Sequence, residues 1–133
     1  MQQLYAVVPR RLMMLLMVGL AAAMLPQCGK EKPQSYVDLK DYVVNLADPG
    51  GNRFLKVKMK MIVESDQVAN EFSANGAKIS DEIITFLSTK KVEELISPLG
   101  KKVLKRQLMD LLNEKVLKAG DVQDIFFTDF VIQ

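Results

Sequence analysis

The most regular alternation of apolar and polar side chains runs over residues 53–63. Its apolar positions would share one face: Leu55, Val57, Met59, Met61 and Val63. Its polar positions form a row of three lysines: Lys56, Lys58 and Lys60. A period of two is typical of a β-strand that lies with one face on a core and the other in water. The sequence therefore predicts a strand with a lysine row on its solvent face.

Two further strands are predicted on either side of this one. Residues 36–46 are rich in β-branched and aromatic side chains, but their alternation slips near Lys40 and Asp41, which indicates a bulge or a break. Residues 47–52 combine a proline with paired glycines and predict a turn. Residues 122–133 alternate with apolar side chains on both faces, which predicts a strand that is central in the sheet or covered by a partner.

The segment between these strands changes to helical spacing at Asp66. The first predicted helix follows Ser65 or Asp66 as its N-cap and is interrupted at Asn75–Gly76. Its apolar stripe comprises Val68, Phe72, Ile79, Ile83, Phe86 and Leu87. The second begins at Ser97–Pro98 and is predicted to end at Gly120. Its apolar stripe comprises Leu99, Val103, Leu104, Leu108, Leu111, Leu112 and Leu117.

These elements predict an α+β fold in the order β-β-α-α-β. A small, mostly antiparallel sheet of three strands would carry the two main helices on one face. The folded domain would occupy residues 36–133, after a linker at residues 29–35. We also expect candidate partner contacts from the lysine row and from three apolar side chains of the last strand: Phe126, Phe130 and Ile132. The alternative is that the lysines form an ordinary solvated face and the apolar side chains form core.

The N-terminal segment, residues 1–28, contains the uncharged run Leu12–Leu25 directly after Arg10 and Arg11. An apolar run beside a basic pair predicts membrane insertion with the arginines on the cytoplasmic side. The run fits two interpretations, a short uncleaved anchor or a signal segment that is cleaved so that Cys28 carries lipid. Pro26 and Gln27 argue against cleavage, because the peptidase pocket prefers small residues.

Composition excludes several classes of chemistry. The 133 residues contain no histidine and one cysteine, so Ser-His-Asp, Cys-His and zinc sites and an internal disulfide are not expected. The net charge of +2, with both signs interspersed, does not indicate nucleic-acid binding. Paired carboxylates, Asp38 with Asp41 or Glu93 with Glu94, are the remaining candidates for catalysis, but they lie at predicted surface positions without a pocket. We therefore expect no enzyme activity and no cofactor.

Three ordered pieces of the chain resemble the FliL family of flagellar basal body-associated proteins. They are residues 36–64, residues 83–108 and residues 120–133. The most specific matches are Asn45–Leu46, Arg53 with the strand after it, the helix start at Leu99–Gly100–Lys101, and the closing TDFVIQ. The resemblance as a whole covers nearly all of residues 36–133.

The resemblance implies a non-enzymatic accessory protein of the flagellar motor that supports rotation, swarming and chemotaxis. It would have a single inner-membrane anchor and a periplasmic domain similar to the stomatin/SPFH fold. The implied partners are stator proteins of the MotA/MotB type, basal-body components, further copies in a ring, and membrane lipids around the anchor. The short apolar run and Cys28 depart from the family pattern. They leave open an alternative, a cell-envelope lipoprotein or scaffold, lipidated at Cys28, without a role in motility.

Overall fold

The computed structural model describes residues 34–133. The strands are β1 (Ser35–Asp38), β2 (Tyr42–Asn45), β3 (Phe54–Val63) and β4 (Val122–Ile132). The helices are α1 (Asp66–Ala74), α2 (Gly76–Ser88), α3 (Val92–Leu95) and α4 (Pro98–Leu111), and a π-helical turn, Leu112–Val116, follows α4. Among these residues no helix combines the length and the apolar character that a membrane crossing requires. The predicted anchor, Cys28 and most of the linker lie outside the described residues.

Strand β3 is the centre of the sheet. On one side it pairs antiparallel with β4 over its whole length, from Leu55 opposite Ile132 to Val63 opposite Val122. On its other side, β1 pairs with the end of β3 at Val63 and β2 pairs with the end at Phe54. The mixed α+β class with an antiparallel sheet is therefore confirmed. The last strand was predicted to be central or covered by a partner. Within residues 34–133 it is not central, because β4 pairs only with β3, and cover by a partner stays a prediction.

The slip in the alternation of the first predicted strand corresponds to a break. The chain leaves the sheet after Asp38 and resumes regular pairing at Tyr42, so residues 34–133 form four strands where three were predicted. The backbone N–H of Leu39 still donates to the Met59 carbonyl at 3.0 Å, which holds the break against β3. The break lets Val37 and Tyr42 both face the core although an odd number of positions separates them.

The first predicted helix is divided into α1 and α2 at Asn75. Asn75 leaves helical geometry with φ −110° and ψ 21°, and its carbonyl accepts from Ile79 N–H at 3.0 Å to begin α2. The predicted apolar stripe is retained across the division: Val68, Phe72, Ile79, Ile83 and Leu87 are all buried. Ser65 occupies the N-cap position as predicted, but its side chain makes no capping hydrogen bond.

Helix α4 begins as its sequence predicts. The Ser97 hydroxyl accepts from the Gly100 N–H at 2.9 Å, and Pro98 is the first helical residue. The predicted apolar stripe is wrong at Leu99 and Val103, which are exposed. Leu104 and Leu108 take the core side, and Leu112 continues the same row of four-residue steps into the π-helical turn. Only one side of a helix can face the sheet, and Leu99 and Val103 lie away from that side.

The helices cover one face of the sheet. The side chains of β3 that point toward them are almost fully inaccessible to solvent: Leu55, Val57, Met59, Met61 and Val63. Helices α1 and α2 contact β1 and β2, while α4 contacts β4. The core is therefore a single apolar layer between the sheet and the helices, and it contains no buried polar side chain among the described residues.

The loop that leads into β4 is held by two glutamates. The Glu71 carboxylate of α1 accepts from the backbone N–H groups of Lys118 and Ala119 at 2.9–3.1 Å. Gly120 has φ +150°, and a Cβ there would lie 2.8 Å from Glu64 Oε2. The prediction that Gly120 ends the helix is wrong, because the π-helical turn ends at Val116. The positive φ, which side chains rarely adopt, is what favours glycine at this position.

The stability of this loop contact is expected to depend on pH. The backbone hydrogen bonds from Lys118 and Ala119 lower the pKa of Glu71 below its ordinary value of 4.5. A lowered folded-state pKa contributes stability above pH 4.5, and that contribution is lost as the pH falls through the folded pKa. The loss of unfolding free energy in Glu71→Gln should therefore be largest near neutral pH and shrink toward pH 3. Urea unfolding of both proteins across this range measures the difference.

A matched control is Glu114→Gln, which removes an exposed carboxylate of the neighbouring π-helical turn. It should show a much smaller effect than Glu71→Gln. A Glu71→Gln deficit that stays constant between pH 7 and pH 3 would contradict the proposed role of the carboxylate charge.

Candidate partner surface

The face of the sheet opposite the helices carries the predicted lysine row. Lys56, Lys58 and Lys60 alternate with the buried positions of β3 and point away from the helical layer. No helix of the described residues covers this outer face, as the exposure of its side chains shows. The face is therefore open to a partner, and its charge and apolar content determine which kind of partner it fits.

Aspartates on both neighbouring strands neutralise the lysine row. Lys56 Nζ lies 3.4 Å from Asp129 of β4 and 3.8 Å from Asp41. Lys58 Nζ lies 3.8 Å from Asp41, and Lys60 Nζ lies 3.7 Å from Asp38. All four pairs are exposed to solvent, so each contributes at most about 1 kcal/mol to stability. Their main consequence is that the face has no strong field of either sign.

Apolar side chains are distributed among these ion pairs. Val43 lies beside Lys56 in the register of the sheet and is 65% exposed, and Tyr36 of β1 is 51% exposed. The Tyr36 ring lies 5.0 Å from Lys60 Nζ, a cation–π distance. Phe54 and Val131 are also exposed at the β2 end of the sheet. A mixed face of neutralised charge and exposed apolar groups resembles a protein contact surface more than a nucleic-acid surface.

The structure brings together four of the six predicted contact residues. Phe126 pairs with Lys60 in the register and lies beside the lysine row, at the outer edge of β4. Phe130 and Ile132 pair with Val57 and Leu55 and therefore lie on the helix side. Both are half-buried, and Phe130 is covered by Lys101 of α4, whose Nζ lies 4.8 Å from the ring centroid. A partner contact through Phe130 and Ile132 stays a prediction.

Sequence reasoning missed the aspartates of this surface. Asp38, Asp41 and Asp129 are far apart in sequence or on either side of the strand break, and only the register places them against the lysines. The available signal was the antiparallel order of the strands, which brings β4 beside β3. That signal does not fix the register, and a shift of one residue would move Asp129 to the other face.

A cleft of about 300 Å³ opens where the strand break meets the junction of α1 and α2. Its floor is apolar, with Phe72 and Ile79, and the Tyr42 hydroxyl lies 3.2 Å from the Ser80 hydroxyl at its side. Burial raises the pKa of Tyr42 above 10, and the hydrogen bond to Ser80 partly offsets this effect. The phenol therefore stays protonated near neutral pH and serves as a hydrogen-bonding group of the wall.

The carboxylates considered for catalysis have structural partners. Asp38 and Asp41 pair with the lysine row. The Glu94 carboxylate accepts from the Lys91 N–H at 2.8 Å at the start of α3, while Glu93 is exposed to solvent. No cluster of three potential metal ligands occurs within residues 34–133. The described contacts of Asp38, Asp41 and Glu94 are therefore ion pairs and a backbone hydrogen bond at the protein surface.

The fold and this surface define a class of protein: a small α+β domain with one sheet face covered by helices and the other face open for contact. Residues 36–133 match the family described as flagellar basal body-associated protein FliL. The chain is also 34% identical, over 92 residues, to the flagellar protein FliL of Aquifex aeolicus (strain VF5), a stretch that covers 69% of this chain. The chain belongs to the FliL family, and the resemblance drawn from its sequence is confirmed. The matched stretch spans 56% of the Aquifex protein.

Proposed function

We propose that this chain is a non-enzymatic accessory protein of the flagellar motor that acts by contact with basal-body and stator proteins. The observation that carries the proposal is the match of the FliL family to residues 36–133, which include all but the first two described residues. The proposal extends to stator proteins of the MotA/MotB type, to ring assembly of several copies, and to a role in rotation, swarming and chemotaxis.

The open face of the sheet supports a function by contact. Protein interfaces combine apolar area with satisfied polar groups, and this face offers Val43 and Tyr36 beside lysines that already have carboxylate partners. A partner does not have to desolvate an unpaired charge there, which would cost more than it returns. The proposed contact surface comprises Lys56, Lys58, Lys60, Val43, Tyr36 and Phe126.

The proposed location follows from the N-terminal sequence. The uncharged run Leu12–Leu25 after Arg10 and Arg11 would hold the chain in the inner membrane, with residues 36–133 in the periplasm. The linker of seven residues, 29–35, reaches at most about 25 Å, so the domain would stay close to the bilayer. Lipidation at Cys28 would change the attachment and leave the domain unchanged.

Replacement of the lysine row tests the proposed surface. In a strain that lacks the native gene, the full chain with Lys56, Lys58 and Lys60 all changed to Gln should support swarming less well than the wild-type chain. Co-purification of stator subunits should fall at least several-fold. The domain should remain folded, because the lost ion pairs are exposed and weak.

The matched control changes lysines outside this face, Lys78 and Lys115, to Gln. This control should swarm normally and retain its partners. Wild-type swarming in the deletion strain itself would contradict the proposed function. Normal swarming of the Lys56, Lys58 and Lys60 variant alone would contradict only the surface. All versions are expected in the membrane fraction, and recovery in the soluble fraction would contradict the anchored location.

A further inference from the structure

The corner between α3 and α4 exposes apolar side chains that the fold does not use. Ile96 is 68% exposed, Leu99 is 70% exposed and Val103 is 46% exposed. Leu99 and Val103 are four residues apart and therefore lie on the same side of α4, directly after Ile96. Isolated exposed aliphatic residues are common on proteins, but three together on one corner indicate a contact site.

This corner is held rigidly by local contacts. The Ser97 hydroxyl caps α4, and the Glu94 carboxylate binds the Lys91 N–H. The Val92 N–H donates to the Asp48 carboxylate at 2.9 Å, which fastens α3 to the loop after β2. Gly100 lets α4 approach α3 so closely that a Cβ there would lie 2.0 Å from the Glu94 carbonyl oxygen. The exposed side chains are thus presented by a fixed backbone, which lowers the entropy cost of binding.

The same side of α4 carries unneutralised positive charge. Lys102 and Arg106 are exposed and lie on the stripe of Leu99 and Val103, and no carboxylate of residues 34–133 is within 4 Å of either. The lysine row of the sheet differs, because each of its members has an aspartate. Lys101 and Lys105 differ too, because each ammonium group lies over an aromatic ring. The Lys101 group lies over Phe130, and the Lys105 group lies over Phe126 and Phe127. Residues 90–111 contain six lysines and arginines against three carboxylates, so this is the positive end of a chain of net charge +2.

We propose that the α3–α4 corner is a docking site for an acidic amphipathic helix of a partner protein. Apolar side chains of that helix pack on Ile96, Leu99 and Val103, while its carboxylates pair with Lys102 and Arg106. Residues 99, 102, 103 and 106 have the spacing i, i+3, i+4 and i+7, which is the spacing by which one helix recognises another. Asp110 lies four residues after Arg106 and therefore borders the stripe at its C-terminal end, so the acidic positions of the partner have to fall before it.

A protein fits this site better than a membrane surface does. The corner is fastened beside the Phe54 end of β3, through Val92 to Asp48 and through the Ala47 N–H to the Lys90 carbonyl. Ser35, where the described chain enters the sheet, pairs with Val63 at the opposite end of β3. The ten residues of β3 separate the two ends by roughly 30 Å. The corner and Ser35 therefore lie at opposite ends of β3.

A second copy of this chain fits less well. The exposed side of α2 offers Asp81 and Ile84 as acidic and apolar groups, but Lys78 lies one turn away on the same side. That lysine would face the positive stripe of α4. The observations therefore favour a different polypeptide as the occupant of this site. The inference rests on the proposed function only because that polypeptide is sought in flagellated cells.

Site-directed photocross-linking in such cells tests the site. The full chain is produced with p-benzoylphenylalanine in place of Leu99, and the cross-linked peptides are identified by mass spectrometry. The expected product joins position 99 to a helical segment of another protein, with carboxylates spaced three or four residues apart beside apolar residues. Lys102→Glu with Arg106→Glu should reduce the product at least tenfold. Changing those partner carboxylates to lysine should restore it.

Two controls distinguish specific binding at this site from nonspecific cross-linking. The probe at Val43, which is equally exposed on the sheet face, should not give the same product. Lys78→Glu with Lys115→Glu, a matched charge change elsewhere, should leave the product at position 99 unchanged. Cross-links only to lipid, only to another copy, or to a segment without carboxylates would overturn the proposal. So would the absence of a cross-link, a product that survives Lys102→Glu with Arg106→Glu, or a failed restoration.

This experiment is independent of motility. A strain that swarms normally through the wild-type chain but gives no cross-link at position 99 would remove the docking site and leave the proposed function in place. A specific cross-link to a protein outside the flagellum, together with normal swarming in the deletion strain, would keep the docking site and remove the proposed function.

Discussion

Leu108→Ala is expected to lower the unfolding free energy by about 2–5 kcal/mol, the largest effect of any single side-chain truncation considered for this protein. Leu108 is fully buried between α4 and the sheet, and a smaller side chain would leave a cavity in the one apolar layer that holds the two together. For a domain of about one hundred residues, each kcal/mol shifts the melting temperature by roughly 4–8 °C. Thermal unfolding followed by circular dichroism measures the change.

The matched control is Leu99→Ala, the same substitution about two and a half turns earlier in the same helix. Leu99 is mostly exposed, so its truncation should change stability by no more than about 0.5 kcal/mol. Equal destabilisation by the two substitutions would contradict the observed orientation of α4. A stable Leu99→Ala protein also separates folding from docking, because the same residue belongs to the proposed site at the α3–α4 corner.

Gly100→Ala is expected to cost about 3 kcal/mol, the upper end of the usual range for overpacking. The new Cβ would lie 2.0 Å from the Glu94 carbonyl oxygen and 2.9 Å from its carbonyl carbon. Both are backbone atoms, so relief requires α3 and α4 to move apart. Urea unfolding should show a lower midpoint, and the Ser97 cap should be disturbed because its hydroxyl bonds the Gly100 N–H.

Gly76→Ala is the comparison that isolates this steric effect. Gly76 also lies in the first turn of a helix, but a Cβ there would meet nothing within 4 Å. Alanine should therefore stabilise the protein by about 0.4–1 kcal/mol, through the lower entropy of the unfolded chain. If Gly100→Ala were as well tolerated as Gly76→Ala, the close approach of α3 to α4 would be wrong.

Local patterns were sufficient for the elements and for several of their ends. The strict alternation from Leu55 to Val63 predicted a strand with one buried face, and Ser97–Pro98 predicted the start of α4. The break near Lys40 was readable because one strand cannot present Val37 and Tyr42 to the same core without it. These features depend on neighbours in sequence, where side-chain direction follows from the period of the backbone.

Features that depend on distant residues were misjudged. The apolar character of both faces of β4 suggested a strand that is central or covered by a partner, and within residues 34–133 β4 lies at an edge of the sheet. Its inner face packs under α4, where Lys101 lies over Phe130, and Lys105 lies over Phe126 at the outer edge. Gly120 was predicted to end a helix, whereas its positive φ in the loop before β4 is what favours glycine there. The sequence shows whether a residue is apolar or small, but it does not show which strand or helix that residue will contact.

The candidate surface shows the same division. The lysine row was predicted, but its neutralisation by Asp38, Asp41 and Asp129 was not, since it depends on the register between three strands. Leu99 and Val103 were predicted to belong to the apolar stripe of α4, because they continue its apolar spacing, but both are exposed. A helical stripe wider than the contact with the sheet leaves some of its apolar residues in solvent.

The sequence by itself determined the class of the fold, the buried face of β3, the start of α4 and membership of the FliL family. These follow from periodicity, capping residues and ordered motifs, which act over a few positions of the chain. Only the tertiary structure decided that β3 is central, that the lysines of the sheet are paired, and that Leu99 and Val103 face solvent beside Lys102 and Arg106. The physical reason is that register and packing are set by which distant surfaces fit together, and a one-residue slip would exchange buried and exposed side chains without changing any local pattern.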